Sequence, residues 1–194
     1  MRYGHVPLIG VEGVEWPEDG KYPKELDQLG HHAFAWYSLH PAMIMIEKWL
    51  KGRSVTDLIS ARDYVEHWLN HSANGSNTTH AYQWYDHTVA ERQLSLLVIW
   101  NVGLELSFDH RFMKRILAEI FKHGDLLANE GFYAANQPTR YHNHAWFQDV
   151  ALVASAVTIP EIFDSTKWLQ IAISRLDDQI ANLVTEDGAS VVSG

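Results

Sequence analysis

The run Leu94-Ser95-Leu96-Leu97-Val98-Ile99-Trp100 decides the fold, because it puts apolar side chains on nearly every side of a helix. A surface helix buries one stripe and wets the other, so a segment apolar all round belongs inside a helical assembly. Ala151-Leu152-Val153-Ala154-Ser155-Ala156-Val157 repeats the pattern. Neighbouring segments are of another kind. Phe112, Ile116, Ile120 and Leu127 recur at helical spacing among Lys114, Arg115, Glu119 and Lys122. Trp168, Ile171, Ile180 and Leu183 do the same around Lys167, Arg175, Asp177 and Asp178. Inner helices thus alternate with amphipathic outer ones whose charges face water.

Extended along the chain, the same periodicity predicts helices over about 25–38, 42–51, 55–71, 87–106, 110–129, 144–158 and 165–184. Pro41 near a start, Ser54 with Asp57 as cap and first-turn acid, Asp109 as a cap, and Pro160 beyond the sixth helix mark their ends. No strand alternation competes. Residues 1–24, broken by Gly4, Pro7, Gly10, Gly13, Pro17, Gly20 and Pro23, read as an extended leader anchored by Trp16. The expectation is one all-α domain, an α/α toroid or α-solenoid of antiparallel helix pairs. In such a succession the second, fourth and sixth helices run parallel. Their N-terminal ends then share a rim carrying His40 and Pro41, Asp86 and His87, and Asn143 and His144.

Composition narrows the function. A chain of 194 residues is long enough for a substantial core, and a formal charge of −9 disfavours a phosphate backbone as partner, so no nucleic acid is expected. There is no cysteine, hence no disulfide and no thiolate metal site. No apolar run approaches the roughly 18 residues of a membrane span, and no membrane partner is expected. Eight Trp, eight Tyr and seven Phe make the chain 12% aromatic; most of these rings belong to the core, while any in a polar cleft can stack on sugar faces.

The chemistry gathers at Tyr141-His142-Asn143-His144-Ala145-Trp146-Phe147-Gln148, directly before an aliphatic helix. First-turn N–H groups lack intrahelical partners and the helix dipole is positive there, so this end suits a substrate carboxylate. Asn143 can donate to that anion without adding charge. The positive helix end favours the neutral, proton-accepting form of His144. Asp86 reads as a helix cap that also orients His87 or a loop. Arg92 stands about 240° round the same helix, so it cannot pair with Asp86 and is read as fixing the 130–142 loop or the leader.

Trp84-Tyr85-Asp86 through Arg92, followed by an aliphatic helix, resembles the aromatic-Asp-x-x-x-x-x-Arg signature in the helical domain of heparinase II/III-type polysaccharide lyases and related alginate lyases. Asn143-His144-x-x-x-Gln148 resembles their Asn-His-x-x-x-Gln motif. The tail Asp187-Gly188-Ala189-Ser190-Val191-Val192-Ser193-Gly194 is similar to the Asp-Gly segment that, in that family, leads into a Tyr-His pair carrying the catalytic tyrosine. The resemblance runs from about residue 80 to the tail and selects the toroid, of which this chain would hold a part.

It implies the N-terminal helical domain of a lyase that cleaves uronate-containing glycans by β-elimination. Asn143 and His144 would be catalytic, Asn143 neutralising the uronate carboxylate and His144 acting as base or sugar holder. Trp84, Tyr85, His87, Arg140, Tyr141, His142, Trp146 and Gln148 would bind substrate, and Asp86 and Arg92 would orient. The quoted sequence ends before the tyrosine, so the chain alone is expected to be inactive. Its partner would be an acidic polysaccharide or oligosaccharide, and the uncovered faces of an incomplete ring would favour self-association. No cofactor or metal is expected, although His142, His144 and His87 are an imidazole set of zinc-binding type. Two other functions use the same residues: a non-catalytic carbohydrate-binding module, and a helical scaffold whose rim residues are caps.

Overall fold

Asp109 accepts a hydrogen bond from the Phe112 N–H at 2.9 Å and so opens a helix at His110–Ala128, the capping role its position predicts. The computed structural model describes residues 5–8, 11–15, 31–71, 80–135, 140–162 and 164–185. Among them are seven α-helices: α1 His31–Tyr37, α2 His40–Gly52, α3 Val55–His71, α4 Asp86–Glu105, α5 His110–Ala128, α6 Asn143–Thr158 and α7 Ser165–Leu183. The protein is all-α in class, and the helix ends fall within a few residues of the periodicity. The first half of the predicted first helix, Trp16 and the tail from residue 186 lie outside the described residues.

The leader departs from expectation. His5–Leu8 (β1) and Val11–Glu15 (β2) pair as an antiparallel hairpin, with Val6 opposite Val14 and Leu8 opposite Val11. Its register is irregular between Val6 and Leu8, which brackets Pro7. A two-stranded ribbon has unpaired edges, so a proline without an N–H is tolerated there, and the surrounding valines favour extended backbone.

Contacts group the chain into two compact units, Met1–Trp84 and Tyr85–Gly194. In the first, α2 packs along α3, while α1 rests on α2 and on a 3-10 turn at Ala81–Trp84. Trp36, Tyr37, Met45, Ile46, Trp49, Tyr64, Val65 and Trp68 fill its core. The Tyr64 hydroxyl donates to the Trp36 carbonyl at 2.8 Å, satisfying the one polar atom of a buried ring.

In the second unit α4 packs on α5 and α6, and α6 on α7. Two buried polar ties fix the directions. Arg92 of α4 donates through Nε to His123 of α5 at 2.8 Å, and Gln93 donates through Nε2 to the Ile120 carbonyl at 3.1 Å and to Ser155 Oγ of α6 at 2.8 Å. With Asp86 beside His144 at the other end, α4 and α6 run parallel and their N-termini lie together.

Burial corrects the sequence reading on two helices. Val98 and Leu104 of α4 are 41% and 57% exposed, and Val157 of α6 is 67% exposed, so neither helix is enclosed all round. A unit of four helices has too few neighbours to cover two of them on every side. On α7 the buried face is Trp168, Ala172, Arg175, Gln179 and Leu183, whereas Ile173 and Ile180 are exposed. Arg175, expected in water, is 3% exposed. Its guanidinium can be buried because it donates to the Leu127 and Ala128 carbonyls at the α5 C-terminus, to Glu130 at 2.7 Å and to Asp149 at 3.5 Å, and lies 3.8 Å over the Tyr133 ring.

Candidate functional site

The paired N-termini of α4 and α6 bring six side chains into one cluster. Asp86 is fully buried, and its Oδ1 accepts from the His87 N–H at 2.7 Å and from His144 Nδ1 at 3.2 Å. The His144 ring meets Tyr85 edge-on at 5.3 Å, His87 at 4.8 Å and His142 at 5.3 Å. His87 stacks on Phe147 with centroids 4.4 Å apart and lies 3.7 Å from Glu91 one turn along α4. His144 keeps 15% of its side chain accessible, so a solute can reach it.

The start of α6 is built differently from the sequence expectation. His142, not Asn143, is the N-cap: its backbone is extended and its Nδ1 accepts the His144 N–H at 3.1 Å. Burial, and then the neighbouring His144 ring, push the His142 imidazole below its usual range, and a neutral ring is what a cap acceptor must be. Asn143 occupies the first helical position and is exposed. One first-turn N–H is thus spent on the cap, and the Asn143 side chain, not needed as a cap, is left exposed.

Asp86 is likewise not a cap. Tyr85 holds that position on α4, with no side-chain hydrogen bond capping the helix, and Asp86 is the first helical residue. Two other expected site residues lie elsewhere in this unit. Arg140 and Tyr141 face α7, where Arg140 Nε is 3.8 Å and the Tyr141 hydroxyl 3.4 Å from Asp178. They line an open groove of about 560 Å³ with Glu130, Gln170, Ser174 and Arg175. Gln148 is fully buried one turn along α6 from His144, and neither of its amide atoms has a hydrogen-bond partner among the described residues. Trp146 is 37% exposed and points about 200° round α6 from His144. Trp84 ends the 3-10 turn of the first unit. Arg92 is buried with its Nε on His123.

The sequence reading missed a second polar centre behind the groove. The Tyr133 hydroxyl donates to Asp149 Oδ2 at 2.7 Å, and Gln179 Nε2 donates to both at 2.6 Å. Burial pushes the Asp149 carboxyl up to about 6 in spite of Tyr133, Arg175 and Gln179. The spacing Trp168, Ala172, Arg175, Gln179 marks a single α7 face in the sequence and could have exposed this centre. Phe147, the other omission, carried no signal beyond its place between two motif residues.

Among the described residues no group of three His, Asp or Glu side chains is arranged to hold a metal ion, and no helix is long and apolar enough to cross a membrane. Comparison with known proteins gives one family: its sequence model, described as the heparinase II/III N-terminus, matches residues 53–191, from the start of α3 through α7 into the tail. No curated protein and no solved structure matches.

Proposed function

The chain belongs to the heparinase II/III N-terminus family, and on that premise we propose that it forms part of an α/α toroid supplying the carboxylate-neutralising and proton-accepting half of a β-elimination site for uronate-containing glycans. The observation that carries this reading is the exposed Asn143 amide beside a partly accessible His144 where α4 and α6 begin together. A proton next to an ionised carboxylate is hard to remove, because the transition state adds negative charge to that group. Asn143 offers an N–H to the carboxylate, and the positive end of α6 lies behind it. His144 takes the C5 proton of one uronate epimer, the C5–H electron pair forms the C4=C5 bond, and the C4–O bond breaks. The leaving oxygen needs a proton from a general acid, which the family resemblance assigns to a tyrosine. Tyr85 and His87 wall the sugar. The exposed apolar stripe of α6 favours self-association.

The test is binding of saturated oligosaccharides from alginate, heparan sulfate and hyaluronan to this chain, read by NMR shifts and titration. Saturable binding that perturbs Tyr85, His87 and Asn143, weakened about tenfold or more by Asn143→Ala, is the expected result. Absence of binding to all three, or binding indifferent to Asn143→Ala, overturns the site. Ultraviolet absorbance from a 4,5-unsaturated product then separates a lyase from a glycan-binding module.

A further inference from the structure

We propose that Asp86 is the positioning residue of this site: its carboxylate holds the His144 imidazole in the Nδ1–H tautomer and so presents the Nε2 lone pair as the proton acceptor. The significance of that lone pair rests on the elimination reading, but the assignment itself is geometric. Asp86 Oδ1 lies 3.2 Å from His144 Nδ1. A carboxylate has no hydrogen to give, so the shared proton is on the ring nitrogen. A neutral imidazole protonated at Nδ1 carries its lone pair at Nε2.

Three further observations favour a positioning role over a structural one. Asp86 does not cap α4, the task its place in the sequence suggests, since its hydrogen bond within the helix runs only to the adjacent His87 N–H. Its Oδ2 is buried with no hydrogen-bond partner among the described residues, so a fully desolvated carboxylate makes its hydrogen bonds through the one oxygen that meets His144. Burying such a group is costly unless its bonds compensate, and here they are the first-turn His87 N–H and the His144 ring. Finally, the rings of Tyr85, His87 and His142 surround His144, and Phe147 backs His87. Packed rings oppose a flip that would exchange the two nitrogens, so orientation and tautomer are set together. When Nε2 takes up a proton, the new positive charge appears beside the Asp86 carboxylate, which stabilises the imidazolium as it forms.

The experiment is ¹⁵N NMR of the His144 ring in this chain, at a pH where the ring is neutral, with the signal assigned by its loss in His144→Gln. The parent should show Nδ1 protonated and Nε2 bare. In Asp86→Asn the amide can donate into Nδ1, so the Nδ1–H form should lose ground by about tenfold or more, with circular dichroism unchanged. A parent ring protonated at Nε2, or a tautomer ratio indifferent to Asp86→Asn, overturns the proposal. If Asp86→Asn does not fold, the parent spectrum decides. No glycan enters the measurement, so an Nδ1–H ring in a chain that binds no glycan would sink the elimination reading alone. An Nε2–H ring in a chain that binds glycan through Asn143 would sink only the role of Asp86.

Discussion

His142 and Asn143 divide between them two tasks that a helix start usually assigns to one residue. His142 caps, so His142→Ala should cost about 0.5–1 kcal/mol of stability. Asn143 does not cap, so Asn143→Ala should leave the melting temperature within about 0.5 kcal/mol equivalent of the parent. In an active lyase carrying this chain it should still lower kcat roughly 10²–10³-fold, the effect of losing one oxyanion-type donor. A destabilised, fully active Asn143→Ala enzyme would reverse the two assignments. Two buried titratable groups make a second prediction at this scale. Burial, and then the Arg92 charge, hold His123 well below its ordinary 6.5. The unfolded chain takes up that proton and the folded chain does not, so the contribution of His123 is present above about pH 6.5 and declines as pH falls. Asp149 has the opposite sign. Its carboxyl is raised from 3.8 to about 6, so its contribution is complete below about pH 3.8 and is lost as pH rises through about 6. Melting temperatures measured between pH 4 and 7.5 should therefore fall less on acidification in His123→Gln and more steeply in Asp149→Asn. Parallel curves for parent and variants would show that neither group is linked to folding.

Between elements, α5 and α7 come into close contact at Gly124. A Cβ there would run into the indole of Trp168, which is fully buried and cannot yield. Gly124→Ala should therefore destabilise by about 1–3 kcal/mol, although alanine is the better helix former. Gly52, at the end of α2, has nothing within 4 Å of the corresponding position, and Gly52→Ala should stabilise by about 0.5–1 kcal/mol. Chemical denaturation of the pair checks both signs, and stabilisation by both would mean that α5 and α7 are not in van der Waals contact at Trp168. The same face of α7 explains Arg175. One helical stripe carries Trp168, Ala172, Arg175 and Gln179 inward, so the cation follows its helix into the interior. There it meets the α5 C-terminal carbonyls and Asp149, partners that no local sequence pattern on α7 announces.

For the whole molecule, the apolar stripe on α6 is the feature with a solution consequence. Val150, Val157 and Trp146 lie on one face of α6 by helical spacing and are 38%, 67% and 37% exposed. Sedimentation velocity should show concentration-dependent association that Val150→Glu with Val157→Glu reduces; a monomer at all concentrations would leave this stripe without that role. Helical class, helix order and the approximate ends from α2 onward, together with the Asp109 cap, were determined by the sequence itself. Periodicity and capping act over a few residues, so they are written in any window a few turns long. The hairpin at His5–Leu8 and Val11–Glu15 escaped it, because a punctuated stretch gives the same signal whether or not it pairs. The two motifs were legible as well, since a carboxylate, an amide and an imidazole before aliphatic helices are visible in one dimension. Which atoms meet was decided only in three dimensions. Asp86 and His144 stand 58 residues apart, and Arg175 and Asp149 stand 26 apart. Their pairing depends on parallel α4 and α6 and on the inward rotation of α7. Those are set by how whole helix faces exclude water against one another, a sum over the core that no single stretch of chain contains.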